Sequence, residues 1–285
     1  MMMQFDLREQ FRSALLGLYL AEWKFGSVFA EQTSVSGPCL PRRGLGSAVL
    51  EGAVLEGMPA ELLTQESAAQ LVYVAPWLLR QHDDPMGCIQ GLARLGLKED
   101  TQQMAVVLAC GLGHLFDQQS PQTLLAALAQ KLSGPLTQPT SVQTLGQSIA
   151  ALERRLQQPL PAAFGETSTL LPSSTRLPVE AVLFSFLRIP ESYGLAVKYA
   201  FDCTQSSAIA ALTGLLAGAS GGLSQMPLPW LSAGLPVIEP TLDLANGGLA
   251  QLWPHLDTAF ARWAGSPPGG LTAASLAPML PLPSA

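Results

Sequence analysis

Small residues recur at every fourth position in two segments that lie far apart in the sequence. The first stripe comprises Ser13, Gly17 and Ala21, and the second comprises Ala210, Gly214, Gly218 and Gly222. In an α-helix, positions four apart lie on one face, so each stripe exposes a strip of nearly bare backbone. Such a strip lets another helix approach closely. We therefore expect two helices whose stripes face each other.

The region around the second stripe has the pattern of three helices. Apolar residues at helical spacing predict a helix that stops at Pro190 and another that starts near Glu191. A polar interruption over residues 202–207 then precedes the helix that carries the stripe. Residues 203–238 contain no charge, but Pro227 and the Gly221-Gly222 pair break this stretch, so we expect a buried central helix and no membrane span.

Composition limits the class of protein. Charged residues make up only 13% of the 285 residues, which indicates that much of the chain is buried. The net charge is -6 and the basic residues are scattered, which argues against nucleic acid as a partner. The acidic start of the chain does not resemble a signal peptide. The four cysteines lack CxxC spacing, so we expect free thiols and a cytoplasmic location.

The remaining pattern predicts helices with few long connections. We expect the first helix over residues 5–26, a loop over 30–43, a helix over 44–57 and a helix from Glu99 to Phe116. Two further helices are expected near 121–133 and 142–157, with a loop over 159–177. Past Trp230 the prolines predict an irregular segment, followed by a last helix near 249–263.

Three short motifs then identify a resemblance. They are Ala-Ala-Leu-Thr-Gly at 210–214, Ala-Gly-Ala at 217–219 and Met-Pro-Leu-Pro-Trp-Leu at 226–231. Together with the first stripe they resemble the helical frame of the ADP-ribosylglycohydrolase family, which includes the dinitrogenase-reductase-activating glycohydrolases. The resemblance implies an all-α fold, a single orthogonal multi-helix domain over residues 5–263. Residues 264–285 form a Pro-rich tail that we expect to be disordered.

The family's acidic motifs are not matched. Where the family carries a metal-binding Asp-Thr-Asp-Thr, this chain has Gln205, Ser206, Ser207 and then an alanine; a three-residue insertion would instead place Asp202 at the first aspartate. Glu22 stands where the first helix of the family has aspartate, and it is followed by Trp-Lys in place of Ala-Leu. The family's early Asp-Asp-Thr motif has no counterpart. Hard divalent cations need several oxygen ligands, above all carboxylates.

The resemblance therefore implies a family member without the two magnesium ions of the family, and without assigned catalytic residues. We expect no metal or cofactor, and a remnant cleft that holds an ADP-ribose-like small molecule or a protein. Its candidate residues are Glu22, Asp202, Gln205, Ser206 and Ser207. The alternative is a divergent hydrolase of an ADP-ribosyl or related N-glycosidic bond, with Glu22 or Asp202 as a relocated acid. The oligomeric state is not predicted.

Other chemistries have little support in the sequence. The three histidines lack zinc-ligand spacing, and no GxSxG or phosphate-loop motif occurs. A serine nucleophile at 206 or 207 would need His82 or His255 to approach it in space, which stays open. The acids at 99–100 and at 83–84 are interpreted as a helix N-terminus and a polar turn. The hydroxyl-rich residues 173–175 are a further candidate for the edge of the cleft.

Overall fold

The computed structural model describes residues 7–33, 63–132, 149, 151–157, 178–241, 257 and 260. The expectations for residues 44–57, 159–177 and 264–285 lie outside the described residues. So do most of those for the helices near 142–157 and 249–263, although the residues described there are helical apart from a turn at 157.

The described residues contain helices and no strand, which confirms the all-α prediction. Nine α-helices are described: α1 (Leu7–Thr33), α2 (Ser67–Arg80), α3 (Pro85–Arg94), α4 (Glu99–Phe116), α5 (Leu124–Leu132), α6 (Pro178–Arg188), α7 (Tyr193–Thr204), α8 (Ser207–Gly221) and α9 (Leu228–Thr241). Short 3-10 turns, Pro121–Thr123 and Leu223–Gln225, precede α5 and α9. None of the described helices is long and apolar enough to cross a membrane.

Helix α8 lies at the centre, and α1 packs along it in the antiparallel direction. The backbones touch: a Cβ atom on Gly214 would lie 2.5 Å from the Gly17 carbonyl oxygen, and one on Gly218 would lie 2.2 Å from that of Ser13. The two stripes therefore face each other as predicted. Gly222 is an exception, because it ends α8 with a positive φ of 66°.

The other helices surround this pair. Helices α2, α4, α6 and α7 all pack against α8. The buried Gln10 amide in α1 donates to the carbonyl oxygens of Leu115, at 3.2 Å, and Ala219, at 3.3 Å, which joins α1 to α4 and α8. At the start of α1, Arg8 and Arg12 both pair with the buried Asp257 carboxylate, with Arg8 Nε 2.7 Å from its Oδ1. These contacts fix α1 at three places along its first half.

Several sequence-based boundaries were wrong. Helix α1 continues to Thr33, so the expected loop does not begin at residue 30. The polar interruption comprises only Gln205 and Ser206, because residues 202–204 complete the last turn of α7. Residues 231–241, expected to be irregular because of Pro236 and Pro240, are part of α9. Its Pro229 stands in the first turn, where proline costs no backbone hydrogen bond.

The acidic turns have the predicted structural roles. Glu99 and Asp100 form the first turn of α4, where acids interact favourably with the helix dipole. Asp84 precedes α3 and accepts a hydrogen bond of 2.9 Å from the Gly87 amide. These acids therefore serve helix starts, in agreement with the sequence-based interpretation.

Cys88, Cys110 and Cys203 are free thiols, and the first two are fully buried between α3 and α4. Burial, with smaller contributions from the negative charges of ionised Cys110 and Asp84, raises the pKa of Cys88 from 9.0 to about 12. Below pH 9 this thiol is protonated in both the folded and the unfolded chain. Above pH 9 the unfolded chain is stabilised by ionising the thiol and the folded chain is not, so the free energy of unfolding falls. Cys39 lies outside the described residues.

We predict that Cys88 makes the fold sensitive to alkaline pH. Stability from this thiol is fully present below pH 9 and is lost as the pH rises towards about 12. The wild-type advantage over Cys88→Ala should therefore shrink by up to about 1.4 kcal/mol per pH unit in this window. Urea unfolding of both proteins between pH 7 and 11 measures the difference. Parallel curves would contradict this account.

A second prediction concerns the contact between α1 and α8. Gly218→Ala should lower the free energy of unfolding by about 1–3 kcal/mol, because the new methyl group overlaps the Ser13 carbonyl. Gly111→Ala in α4 is the matched control, since its Cβ would meet nothing closer than 3.8 Å. The control should be neutral or stabilised by about 0.5–1 kcal/mol. Equal effects in the two variants would show that backbone proximity is not the cause.

Candidate functional site

The antiparallel register of α1 and α8 brings the early and late candidate residues to the same end of the helix pair. Ser13 lies opposite Gly218 and Gly17 lies opposite Gly214, so Glu22 stands level with the first turn of α8. Three residues further on, Phe25 stacks on Phe201 at the end of α7, with ring centroids 4.6 Å apart. Glu22 is thus placed beside the junction of α7 and α8.

Glu22 itself is buried, with 6% of its surface exposed. A carboxylate removed from water in this way is costly unless its surroundings compensate its charge. Its effect reaches Tyr19, one turn earlier in α1: burial raises the pKa of this phenol, and the negative charge of Glu22 raises it further. Tyr19 therefore remains protonated throughout the neutral range and cannot act as a base there.

Gln205 and Ser206 form the junction itself, and both are used for helix capping. Gln205 ends α7 in the left-handed conformation, with φ 54°, and its side-chain amide donates to the Asp202 carbonyl at 3.1 Å. The Ser206 hydroxyl accepts a hydrogen bond of 3.3 Å from the Ile209 amide, which caps α8. Thr204 supports the turn by accepting from the Ser206 amide at 3.2 Å. Ser207 follows as a buried residue in the first turn of α8.

Asp202, unlike Glu22, has a partly exposed side chain. Its carboxylate pairs with Lys198 one turn earlier in α7, and the two side chains are 30% and 59% exposed. The neighbouring Phe201, and not Asp202, makes the described contact with α1. The structure therefore brings Glu22 close to the backbone of residues 205–207, which we call the late motif. The Asp202 carboxylate is engaged at the surface instead.

An aromatic cluster lies at the same end of the α1–α8 pair as Glu22, and sequence periodicity did not predict it. Trp230 meets Phe25 edge-on at 5.8 Å and Tyr193 at 6.0 Å, and the Tyr193 hydroxyl donates to the Gly17 carbonyl at 2.6 Å. The Lys24 ammonium lies 5.8 Å from the Trp230 ring centroid, a cation–π distance. These contacts close the end of the α1–α8 pair with rings from α1, α7 and α9.

Trp23, which replaces a small residue of the family pattern, is accommodated by a glycine in α9. A Cβ atom on Gly234 would lie 2.8 Å from the Trp23 indole. The bulky ring therefore packs against bare backbone. The signal that could have revealed this is the pairing of Trp23 with a glycine more than two hundred positions away, which local periodicity does not detect.

The described histidines are engaged within their own region. His82 Nδ1 lies 2.8 Å from the Leu79 carbonyl oxygen and its ring meets Phe116 edge-on at 4.9 Å. His114 Nε2 lies 3.1 Å from the Ser120 carbonyl oxygen and 3.1 Å from the Thr123 hydroxyl. These contacts fit the interpretation of His114 as a helix-end histidine. His255 lies outside the described residues.

The donor set at the junction does not fit a pair of magnesium ions. The late motif offers an amide and hydroxyls where the family has carboxylates. Gln205 and Ser206 are occupied with helix ends, and Asp202 is paired with a lysine. Among the described residues, Glu22 is the one buried acid there, and two hard cations need several such oxygens. The early acidic motif has no counterpart in the sequence, although residues 34–62 lie outside the described part.

These features define an all-α protein with a glycohydrolase-type frame of small-residue helices. The sequence matches the family described as ADP-ribosylglycohydrolase over residues 3–259. Because this match covers most of the chain, the chain belongs to the ADP-ribosylglycohydrolase family, and the resemblance and the fold class are confirmed. Comparison with curated proteins and with solved structures gives no match.

We predict that Ser206 contributes to stability as the cap of α8. Ser206→Ala should lower the free energy of unfolding by about 1 kcal/mol, because the Ile209 amide loses its acceptor. Ser206→Asp should retain the stability, since aspartate caps equally well and its charge suits the helix N-terminus. Ser232→Ala, at an exposed position of α9, is the control and should be neutral. Chemical denaturation compares the three; a neutral Ser206→Ala would contradict the capping role.

Proposed function

We propose that this protein is a non-catalytic member of the ADP-ribosylglycohydrolase family that binds a ligand or a protein without metal. The proposal rests on the hydrogen bonds that the side chains of the late motif make. Where hydrolases of the family need acids, Gln205 and Ser206 tie their side chains to the ends of α7 and α8. Groups that cap helices in this way hold the frame together, and an amide and a hydroxyl do not supply the negative charge that a pair of hard cations needs.

The supply of carboxylates supports the same proposal. Two-metal hydrolysis needs acids that grip both ions, position the attacking water and neutralise developing charge. Asp202 is paired with Lys198, so recruiting it would first require breaking that ion pair. Of the acids that the structure describes at the junction, Glu22 is the buried one. One carboxylate supplies only two oxygen atoms, fewer than two metal ions require as ligands.

The proposed ligand site is the part of the remnant cleft at the α7–α8 junction, Glu22 with residues 205–207, and the proposed ligand is an ADP-ribose-like small molecule or a protein segment. Asp202, the remaining candidate, pairs with Lys198 at the surface and is not included. The N-terminus of α8, which is the positive end of its helix dipole, favours the binding of an anion near this cleft. We place the protein in the cytoplasm, which is supported by the free buried thiols Cys88 and Cys110.

The burial of Glu22 favours a second candidate, a divergent N-glycosidic hydrolase in which Glu22 is the relocated acid. A single carboxyl group in an apolar site can exchange a proton with a substrate without any metal. This candidate requires turnover that depends on Glu22. The non-catalytic proposal requires none.

The test combines calorimetry with an activity assay. We expect ADP-ribose, titrated into the protein, to give the same heat with magnesium and with chelator, and we expect no release of ADP-ribose from an ADP-ribosylated protein. Magnesium-dependent heat together with chelator-sensitive release would overturn the proposal. Metal-independent release that Glu22→Gln abolishes, while Asp202→Asn leaves it unchanged, would establish the second candidate. Absence of any heat would direct the search to a protein partner.

A further inference from the structure

Lys24 lies on the side of α1 that faces α8. It follows Gly17 by seven positions, which is about two helical turns, so both residues lie on one face of α1. Gly17 contacts Gly214 in the antiparallel helix pair, and the same register places Lys24 level with Ser207, the first residue of α8. A lysine therefore stands on the packing face of α1, at the end where α7 and α8 meet.

Two indole rings position the ammonium group of Lys24. Its Nζ atom lies 5.8 Å from the ring centroid of Trp230 and 5.9 Å from that of Trp23. Both distances are within the range of a cation–π interaction. Trp230 is itself fixed by edge-on contacts with Phe25, at 5.8 Å, and with Tyr193, at 6.0 Å. Because the lysine and both tryptophans are partly buried, these rings keep the ammonium group at this end of the helix pair.

The positive charge of Lys24 has no counter-charge among the acids that the structure describes. The described ion pairs join Asp257 and Asp202 to other bases. Glu22 precedes Lys24 by two positions, so the two side chains leave α1 in directions that differ by about 160°. None of the hydrogen bonds among the described residues engages the ammonium group, which has three N–H donors. This cation is therefore available to an anion that the described residues do not supply.

A lysine breaks the packing rule at this position. The family pattern has leucine here, which packs between helices and carries no charge. Moving an ammonium group out of water costs free energy unless an anion or a hydrogen-bond acceptor compensates it. Sequences that break such a local rule do so mainly at functional sites. We therefore expect the compensating anion to come from a ligand.

We propose that Lys24 binds the phosphate groups of the ligand at the α7–α8 junction, with Trp23 and Trp230 fixing the direction of its side chain. This inference rests on the proposed function and names the part of the ligand that the cleft recognises. In a cleft whose donor set does not fit magnesium ions, the negative charge of a diphosphate needs a cation from the protein. Lysine supplies that charge as a compact ammonium group, which is a common ligand of phosphate.

The experiment is calorimetry on the full-length chain, in the presence of chelator, with ADP-ribose, pyrophosphate and adenosine as probes. Lys24→Leu installs the residue of the family pattern and removes only the charged group. It should weaken the binding of ADP-ribose and of pyrophosphate by at least about tenfold, because a hydrogen bond to a charged group is lost. Adenosine, which lacks phosphate, should not distinguish the variant from the wild type. Added salt should weaken ADP-ribose binding more in the wild type than in Lys24→Leu.

Two further variants serve as controls. Lys131→Leu removes the same charge at an exposed site on α5 and should leave every affinity unchanged. Lys24→Arg keeps a cation at the site and should retain ADP-ribose binding to within about threefold. Urea unfolding of each variant separates binding from packing. If Lys24→Leu changed the free energy of unfolding and left the affinity for ADP-ribose unaltered, Lys24 would be a packing residue and the inference would be wrong.

The remaining outcomes separate this inference from the proposed function. ADP-ribose that binds equally well to the wild type and to Lys24→Leu overturns the inference and leaves the proposed function standing. Pyrophosphate binding that depends on Lys24, without any binding of ADP-ribose, supports the phosphate site and contradicts an ADP-ribose-like ligand. Heat from neither phosphate compound overturns the inference, and the proposed function then requires a protein partner.

Discussion

The backbone contact between α1 and α8 is the constraint on which the rest of the structure depends. Carbonyl oxygens of Gly17 and Ser13 occupy the space where side chains of Gly214 and Gly218 would otherwise stand. Helices in such direct contact can only slide or rotate by breaking many close contacts at once, since protein interiors are densely packed. The contact therefore fixes which residues meet at the two ends of the pair. It places Glu22 beside the junction of α7 and α8, whatever the chemistry of the residues there.

This separation between frame and chemistry explains how the chain can keep the family architecture with a different set of polar residues. The small residues of α1 and α8 cannot be enlarged without moving backbone. The acids of a metal site carry no such restriction, because their role is to bind ions. Without bound cations, a cluster of carboxylates repels itself and is destabilising. On the proposed function, Gln205 and Ser206 stand in place of such a cluster, which removes the repulsion and adds capping contacts at helix ends.

Sequence periodicity predicted the parts of the fold that are encoded locally. The stripes at Ser13 and Gly214, the acidic start of α4 and the cap before α3 follow from spacing and from the chemistry of helix ends. The sequence could not predict that two residues suffice for the turn between α7 and α8, because that depends on Gln205 tolerating a left-handed conformation. It also missed the helix α9, because Pro236 and Pro240 predict a break, whereas the helix continues through both positions to Thr241.

The candidate site shows the same division. Glu22 and residues 205–207 were selected from the sequence because the resemblance aligns them with the family motifs, and the helix register does bring them to one end. The partner of Asp202 could not be predicted from the sequence, because an acid four positions after Lys198 can either pair with it along the helix or face the core. Nor could spacing reveal that Trp23 rests on Gly234, a contact between the two ends of the chain.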